Sequence, residues 1–220
     1  MVVDRYQPND SIDGNSYGEW VYRWWKWALE MQPRDHPIKD RTGAHCHKGH
    51  KYPAVLFLGG TFDGDPSNVV RSYVLPTGKG ELSILFPIIN SNISREEHQA
   101  ALRGSTDQEV IDAAKGVIDG VTRAKITIKE PDGTEKIYNK SDLDRIRHDR
   151  KTLYSFDLPV DNVLNLGQKQ IWSGLDGYWM FLKPLKPGTY TIVFEAESPL
   201  FGGMPNELFG TNTTYKLTVT

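Results

Sequence analysis

The sequence predicts an α+β fold that is mainly β: a jelly-roll-like β-sandwich carrying an N-terminal tryptophan-rich helix and two inserted helices. Three observations lead there. Short apolar or alternating runs bounded by Gly, Pro and Asp recur along the chain, as strands joined by turns do. One amphipathic stretch near the N-terminus places Trp20, Trp24, Trp25 and Trp27 within two helical turns. Two further helix-start signatures stand between predicted strands.

Residues 1–15 read as an extended, polar lead-in. Ser16 and Glu19 then form a capping-box pattern, which satisfies exposed backbone donors at a helix start. Tyr17, Trp20, Val21, Trp24, Trp27, Ala28 and Met31 follow at helical spacing, opposite Arg23, Lys26 and Glu30, and Pro33 ends the helix. An exposed aromatic face would suit sugars or bases. This spacing favours core packing instead, and leaves Tyr22, Trp25 and Leu29 on the flank as the residues for surface contact.

Residues 32–51 read as a long ordered loop. Strands are expected over 54–58, 69–75 and 82–89, the last interrupted by Pro87, which favours an edge or a bulge. A turn is expected at 76–79. Ser94 with Glu97, and Thr106 with Glu109, start the two inserted helices; Val110, Ile111, Ala114, Val117, Ile118 and Val121 share a face of the second. The period then switches to two, and 124–128 with 136–138 form a hairpin across Pro131-Asp132-Gly133-Thr134. Residues 141–151 read as an exposed charged segment with a helical turn or two. Strands are expected at 152–158, 178–182, 189–196 and 214–219. The 199–210 segment, apolar in places, is expected to fold over something. No repeat or linker divides the chain, so 1–220 reads as a single domain.

At 220 residues the chain is long enough to bury a sizeable core, and 11% of it is aromatic. The net charge of −2 gives no field to draw in nucleic acid or an anionic membrane. The single cysteine, Cys46, excludes an intramolecular disulfide and suits a reducing compartment. No run approaches the ~20 apolar residues of a membrane span. The expectation is therefore a cytoplasmic protein, or the mature form of a secreted one. Asn92, Asn139 and Asn212 stand in glycosylation-acceptor patterns that matter only in the second case.

No motif names a reaction, so whether the protein is an enzyme stays open. His45, His47 and His50 offer imidazoles for zinc or another transition metal, against the reading of a solvated loop. Thr61 to Asn68 resembles part of a calcium loop but lacks the closing carboxylate, and reads as a turn. Arg71 and Lys79, with Asp40 and Glu19, are polar groups near strand ends and turns, where sites form. The candidate ligand-binding residues are thus Tyr22, Trp25, Arg71 and Lys79, and the candidate metal ligands His45, His47 and His50.

Several segments in order resemble one family: Tyr17-Gly18-Glu19-Trp20 running into Arg23-Trp24-Trp25-Lys26-Trp27-Ala28-Leu29, then Leu56-Phe57-Leu58-Gly59-Gly60-Thr61-Phe62, Leu85-Phe86-Pro87-Ile88-Ile89-Asn90, Asp176-Gly177-Tyr178-Trp179 and Pro187-Gly188-x-Tyr190-Thr191-Ile192. The chain is similar to a family of uncharacterised, often exported bacterial and archaeal proteins. That resemblance implies one domain with a β-rich C-terminal half, and assigns no catalytic residue. It also implies a cysteine in relatives at the position of Tyr73, to pair with one near Cys46. The combined expectation is a β-sandwich that binds a small ligand or a protein partner, by itself or as a component of a larger assembly; the alternative is a metal-dependent enzyme built on the three histidines.

Overall fold

A computed structural model of the chain describes residues 3–62, 67–75, 82–96, 106–199 and 209–220. Helix α1 spans Tyr17–Leu29, and the second described helix, α2, spans Asp107–Asp119. The strands are β1 Ser11–Ile12, β2 Asn15–Ser16, β3 Val55–Phe57, β4 Val69–Leu75, β5 Ser83–Ser94, β6 Arg123–Lys129, β7 Glu135–Asn139, β8 Asp144–Arg145, β9 Tyr154–Leu158, β10 Lys169–Leu182, β11 Gly188–Ser198 and β12 Phe209–Val219.

These elements form a mainly β sandwich. One sheet runs β3-β5-β10-β8, with β9 also on β10; the other runs β4-β12-β11-β6-β7. Pairing is antiparallel except for β3 with β5 and β4 with β12. Alternation along the strands gives the first sheet two buried faces. Ile84, Phe86, Met180 and Leu182 meet Ile126, Ile192, Phe194 and Leu217 of the second sheet. On the other face, Leu85, Phe57, Phe156, Trp179 and Phe181 meet α1. The result is three layers, helix on sheet on sheet, and β5 and β10 lie in the middle.

The α1 stripe is a core stripe, as its spacing predicts. Ser16 Oγ accepts the Glu19 backbone N–H at 3.1 Å, closing half of a capping box, and the helix ends at Leu29, before Met31. Trp20 is fully buried, and its indole donates to Ile12 O at 2.7 Å, which pins the β1–β2 hairpin under the helix. The lead-in is likewise held: Tyr6 N donates to Phe181 O, and Val3 is buried between the sheets. At α2 both halves of the Thr106–Glu109 capping box are present. The helix start at Ser94 is seen only as far as Glu96; Glu97 lies outside the described residues, as do the 76–79 turn and residues 200–208.

Two expectations are corrected. Residues 141–151 are not simply an exposed charged segment. Leu143 and Asp144 are buried, and Arg145 of β8 donates to Asp176 Oδ2 at 2.6 Å and to Asp119 Oδ1 at 2.7 Å, tying α2 to β10. The strand expected at 178–182 is the end of a 14-residue strand. Its first half was hidden by two glycines that serve packing. A Cβ at Gly174 would stand 2.8 Å from Ile111 Cα of α2, and one at Gly177 would stand 2.7 Å from the Trp179 indole nitrogen and 2.8 Å from Asn90 Cβ.

Candidate functional site

Pro87 lies beyond the stretch of β5 that β3 covers, so among the described strands it is paired on one side only, and a bulge is present as well: the register of β5 on β10 shifts between Tyr178 opposite Ile89 and Trp179 opposite Pro87. Ile88 is the extra residue. Because side chains alternate with period two, one extra residue exchanges the faces of everything beyond it. Leu85 and Pro87 face α1; without the bulge Asn90 and Asn92 would face the second sheet. With it they pair opposite Gly177 and Leu175 and join the α1 face.

Those asparagines help wall a cavity of about 370 Å³ between the C-terminal half of α1, β5 and the loop 58–62. Trp24, Trp25 and Leu29 enter from the helix, Ile38 and Phe62 from loops, and Pro87 to Ile89 from the strand. Leu164 and Phe209 complete the apolar wall, and Thr61 and Thr211 add hydroxyls. The indoles are fixed edge to face: Trp24 with Trp25 at 5.2 Å and with Trp179 at 5.3 Å. The Trp24 indole donates to Leu58 O at 2.8 Å, anchoring the loop. Asn162 holds the Leu164 side through bonds to Pro159 O and Gly167 O and from Leu164 N and Leu166 N.

The wall carries an unusual concentration of unmet polar atoms. Trp25 Nε1, Thr61 Oγ1, Asn90 Nδ2, Asn92 Nδ2 and Thr211 Oγ1 are buried and have no partner among the described residues; Trp179 Nε1, above Gly177, is a sixth close by. Leaving such a group unpaired costs ~1–3 kcal/mol, and folded proteins keep few of them. Among the described lining residues none is charged. Two cations, Lys39 and Arg41, line an adjoining hollow that shares Ile38, Thr61 and Phe62.

Of the residues singled out in the sequence, Trp25 lines this cavity, buried by the protein and not on its outer surface, and Leu29 does the same. Tyr22 lies on another side of the helix. It stacks on Tyr154 at 4.7 Å, and its hydroxyl donates to Ser155 O. Arg71 is fully buried, and its guanidinium donates to the backbone carbonyls of Ile38, Asp40, Gly59 and Gly60 and to the Tyr215 hydroxyl. It thereby positions the 38–40 and 59–60 loops that border the cavity. Lys79 lies outside the described residues, as do Asp63 to Pro66 of the calcium-like loop.

The three histidines do not come together. Among the described residues no three His, Cys, Asp or Glu side chains converge as a metal site. His50 stacks on Trp27 at 5.5 Å, with Nε2 on Cys46 O, and His45 stands 3.8 Å from Asp35. The loop is organised by Asp40 instead. Burial opposes ionisation there, but bonds from Thr42 and the backbone N–H of His45 hold its carboxyl down at about 2. Burial pushes the Cys46 thiol up to about 11, so it is no activated nucleophile, and burial, with a smaller contribution from Cys46, also raises the pKa of the Tyr73 hydroxyl. The residue missed in the sequence is His36. Its Nε2 bonds Ala28 O at 2.9 Å and its Nδ1 accepts from Ile38 N, so the ring seats the loop on α1; burial lowers its pKa to about 4.

Among the described residues no helix is long and apolar enough to cross a membrane. No family model and no curated protein matches the chain. A solved structure described as "Structure of PbICP-C in complex with falcipain-2" is similar over 76% of this chain and 99% of that one, at 17% identity and a TM-score of 0.31, a likeness too distant to carry an argument.

Proposed function

We propose that the protein is a small-molecule-binding protein whose site is the cavity between α1, β5 and the 58–62 loop. One observation carries this reading: a largely apolar hollow of about 370 Å³, walled by fixed indoles, gathers five buried polar atoms that have no partner among the described residues. Its size falls within the range of ligand sites, ~300–1,000 Å³. Support also comes from the β5 bulge, which brings two amides into an aromatic wall where more aliphatic side chains would stabilise the fold better. The metal-dependent alternative has less support, because among the described residues no three His, Cys, Asp or Glu side chains converge.

The test is a fluorescence titration with the neutral apolar probe N-phenylnaphthylamine. The expected result is saturable enhancement that is lost in Thr61→Trp, which fills the cavity from a loop. An absent enhancement, or one that Thr61→Trp leaves unchanged, overturns the reading.

A further inference from the structure

From the chemistry of its wall we infer that the cavity takes an uncharged, acceptor-rich ring system, a molecule bearing carbonyl or ring-ether oxygens and few N–H or O–H groups. This rests on the cavity being a ligand site. The unpaired set has a definite polarity. Indole Nε1 is a donor only, and the amide ends of Asn90 and Asn92 that lack a partner among the described residues are their covered Nδ2 donors, so in this arrangement three groups call for an acceptor, which the two amides meet by turning toward the cavity. The hydroxyls of Thr61 and Thr211 turn to either role. A ligand rich in hydroxyls would bring further donors to a wall already supplied with them. A carboxylate would also accept, but no cation among the described lining residues compensates its loss of water.

The arrangement also selects a shape. Asn90 and Asn92 lie two residues apart on one face of β5, so their amides are spaced along one side of the cavity, and Trp25 enters from the helix. The terminal torsion of an asparagine is broad, so each amide turns toward an incoming oxygen at little cost. Trp24, Trp25 and Phe62 give the flat, polarisable surroundings that suit a fused ring body. The chemical class is that of aromatic ketones, lactones and related heterocycles.

The experiment compares four probes of similar size by calorimetry on the full chain: flavone, which has a carbonyl and a ring ether; phenylnaphthalene, its carbon counterpart; phenylindole, which has a donor and no acceptor; and a phenylquinoline carboxylate. Flavone is expected to bind about tenfold or more tightly than each of the others, the effect of one or two net hydrogen bonds. In Asn90→Leu and Asn92→Leu the preference for flavone over phenylnaphthalene should fall severalfold, while phenylnaphthalene still binds, which shows that the variants are folded. Phenylnaphthalene or phenylindole binding as tightly as flavone overturns the inference and leaves the cavity reading standing. So does tighter binding of the carboxylate, or a flavone preference that survives both substitutions. If none of the four binds and N-phenylnaphthylamine also fails, the cavity reading falls as well.

Discussion

Arg71 and His36 show how single buried polar residues set the geometry around the cavity. The Arg71 guanidinium serves four carbonyls from two loops and one hydroxyl, all with little access to water. Arg71→Met should lower the urea-unfolding free energy by at least about 3 kcal/mol, because several acceptors lose a charged donor at once. Arg71→Lys should recover little of it, since one ammonium cannot reproduce the planar fork. His36 is held neutral, with Nδ1 accepting from Ile38 N, a bond that protonation of that nitrogen would break. Its folded pKa of about 4 lies below the ordinary 6.5. The unfolded chain therefore binds more protons between those values, and stability falls as pH drops through that window, by up to about 3 kcal/mol. Urea midpoints measured from pH 7 downward should show this slope, and His36→Gln should flatten it.

At the scale of the elements, close approach is the recurring device. Gly174 lets the backbone of α2 sit on β10, where any Cβ would meet Ile111 Cα at 2.8 Å. Gly174→Ala should destabilise the protein by ~1–3 kcal/mol and loosen α2 more than α1, read as faster amide exchange in 107–119. The same glycines explain what the sequence concealed. Capping residues, the tryptophan stripe and the 124–139 hairpin were legible because each is a local pattern. The first half of β10 was not, since Gly174, Asp176 and Gly177 break the strand-like composition for reasons that lie in other elements. Pro87 was half legible: proline signals a bulge or an edge, but only pairing shows that the bulge turns Asn90 and Asn92 toward the helix.

For the whole molecule, the three-layer order makes the first sheet the centre. Its strands β5 and β10 are covered by α1 on one face and by the second sheet and α2 on the other. Amide exchange should be slowest there and fastest at the edge strand β7, whose residues are exposed or half-buried; faster exchange in β5 than in β7 would contradict the layering. The fold class was readable because alternation and helix periodicity survive in the sequence. The cavity was not, because its wall combines a helix flank, a bulged strand and loops far apart in the chain. Of its lining, Trp25 and Leu29 were flagged, and for surface contact. Nor does sequence spacing show where a histidine of the 45–50 cluster is placed: His50 stacks on Trp27.

The claim that the cavity binds a ligand through its unpaired donors is tested most directly by following the tryptophan indole N–H resonances during addition of flavone. The Trp20, Trp24 and Trp27 indoles already donate to backbone carbonyls, whereas Trp25 has no partner among the described residues. The account predicts a saturable downfield shift of the Trp25 indole proton as it gains an acceptor, with Trp20 unmoved beneath the helix. A Trp25 resonance that stays in place at saturating flavone, or that moves no more than Trp20, would contradict it.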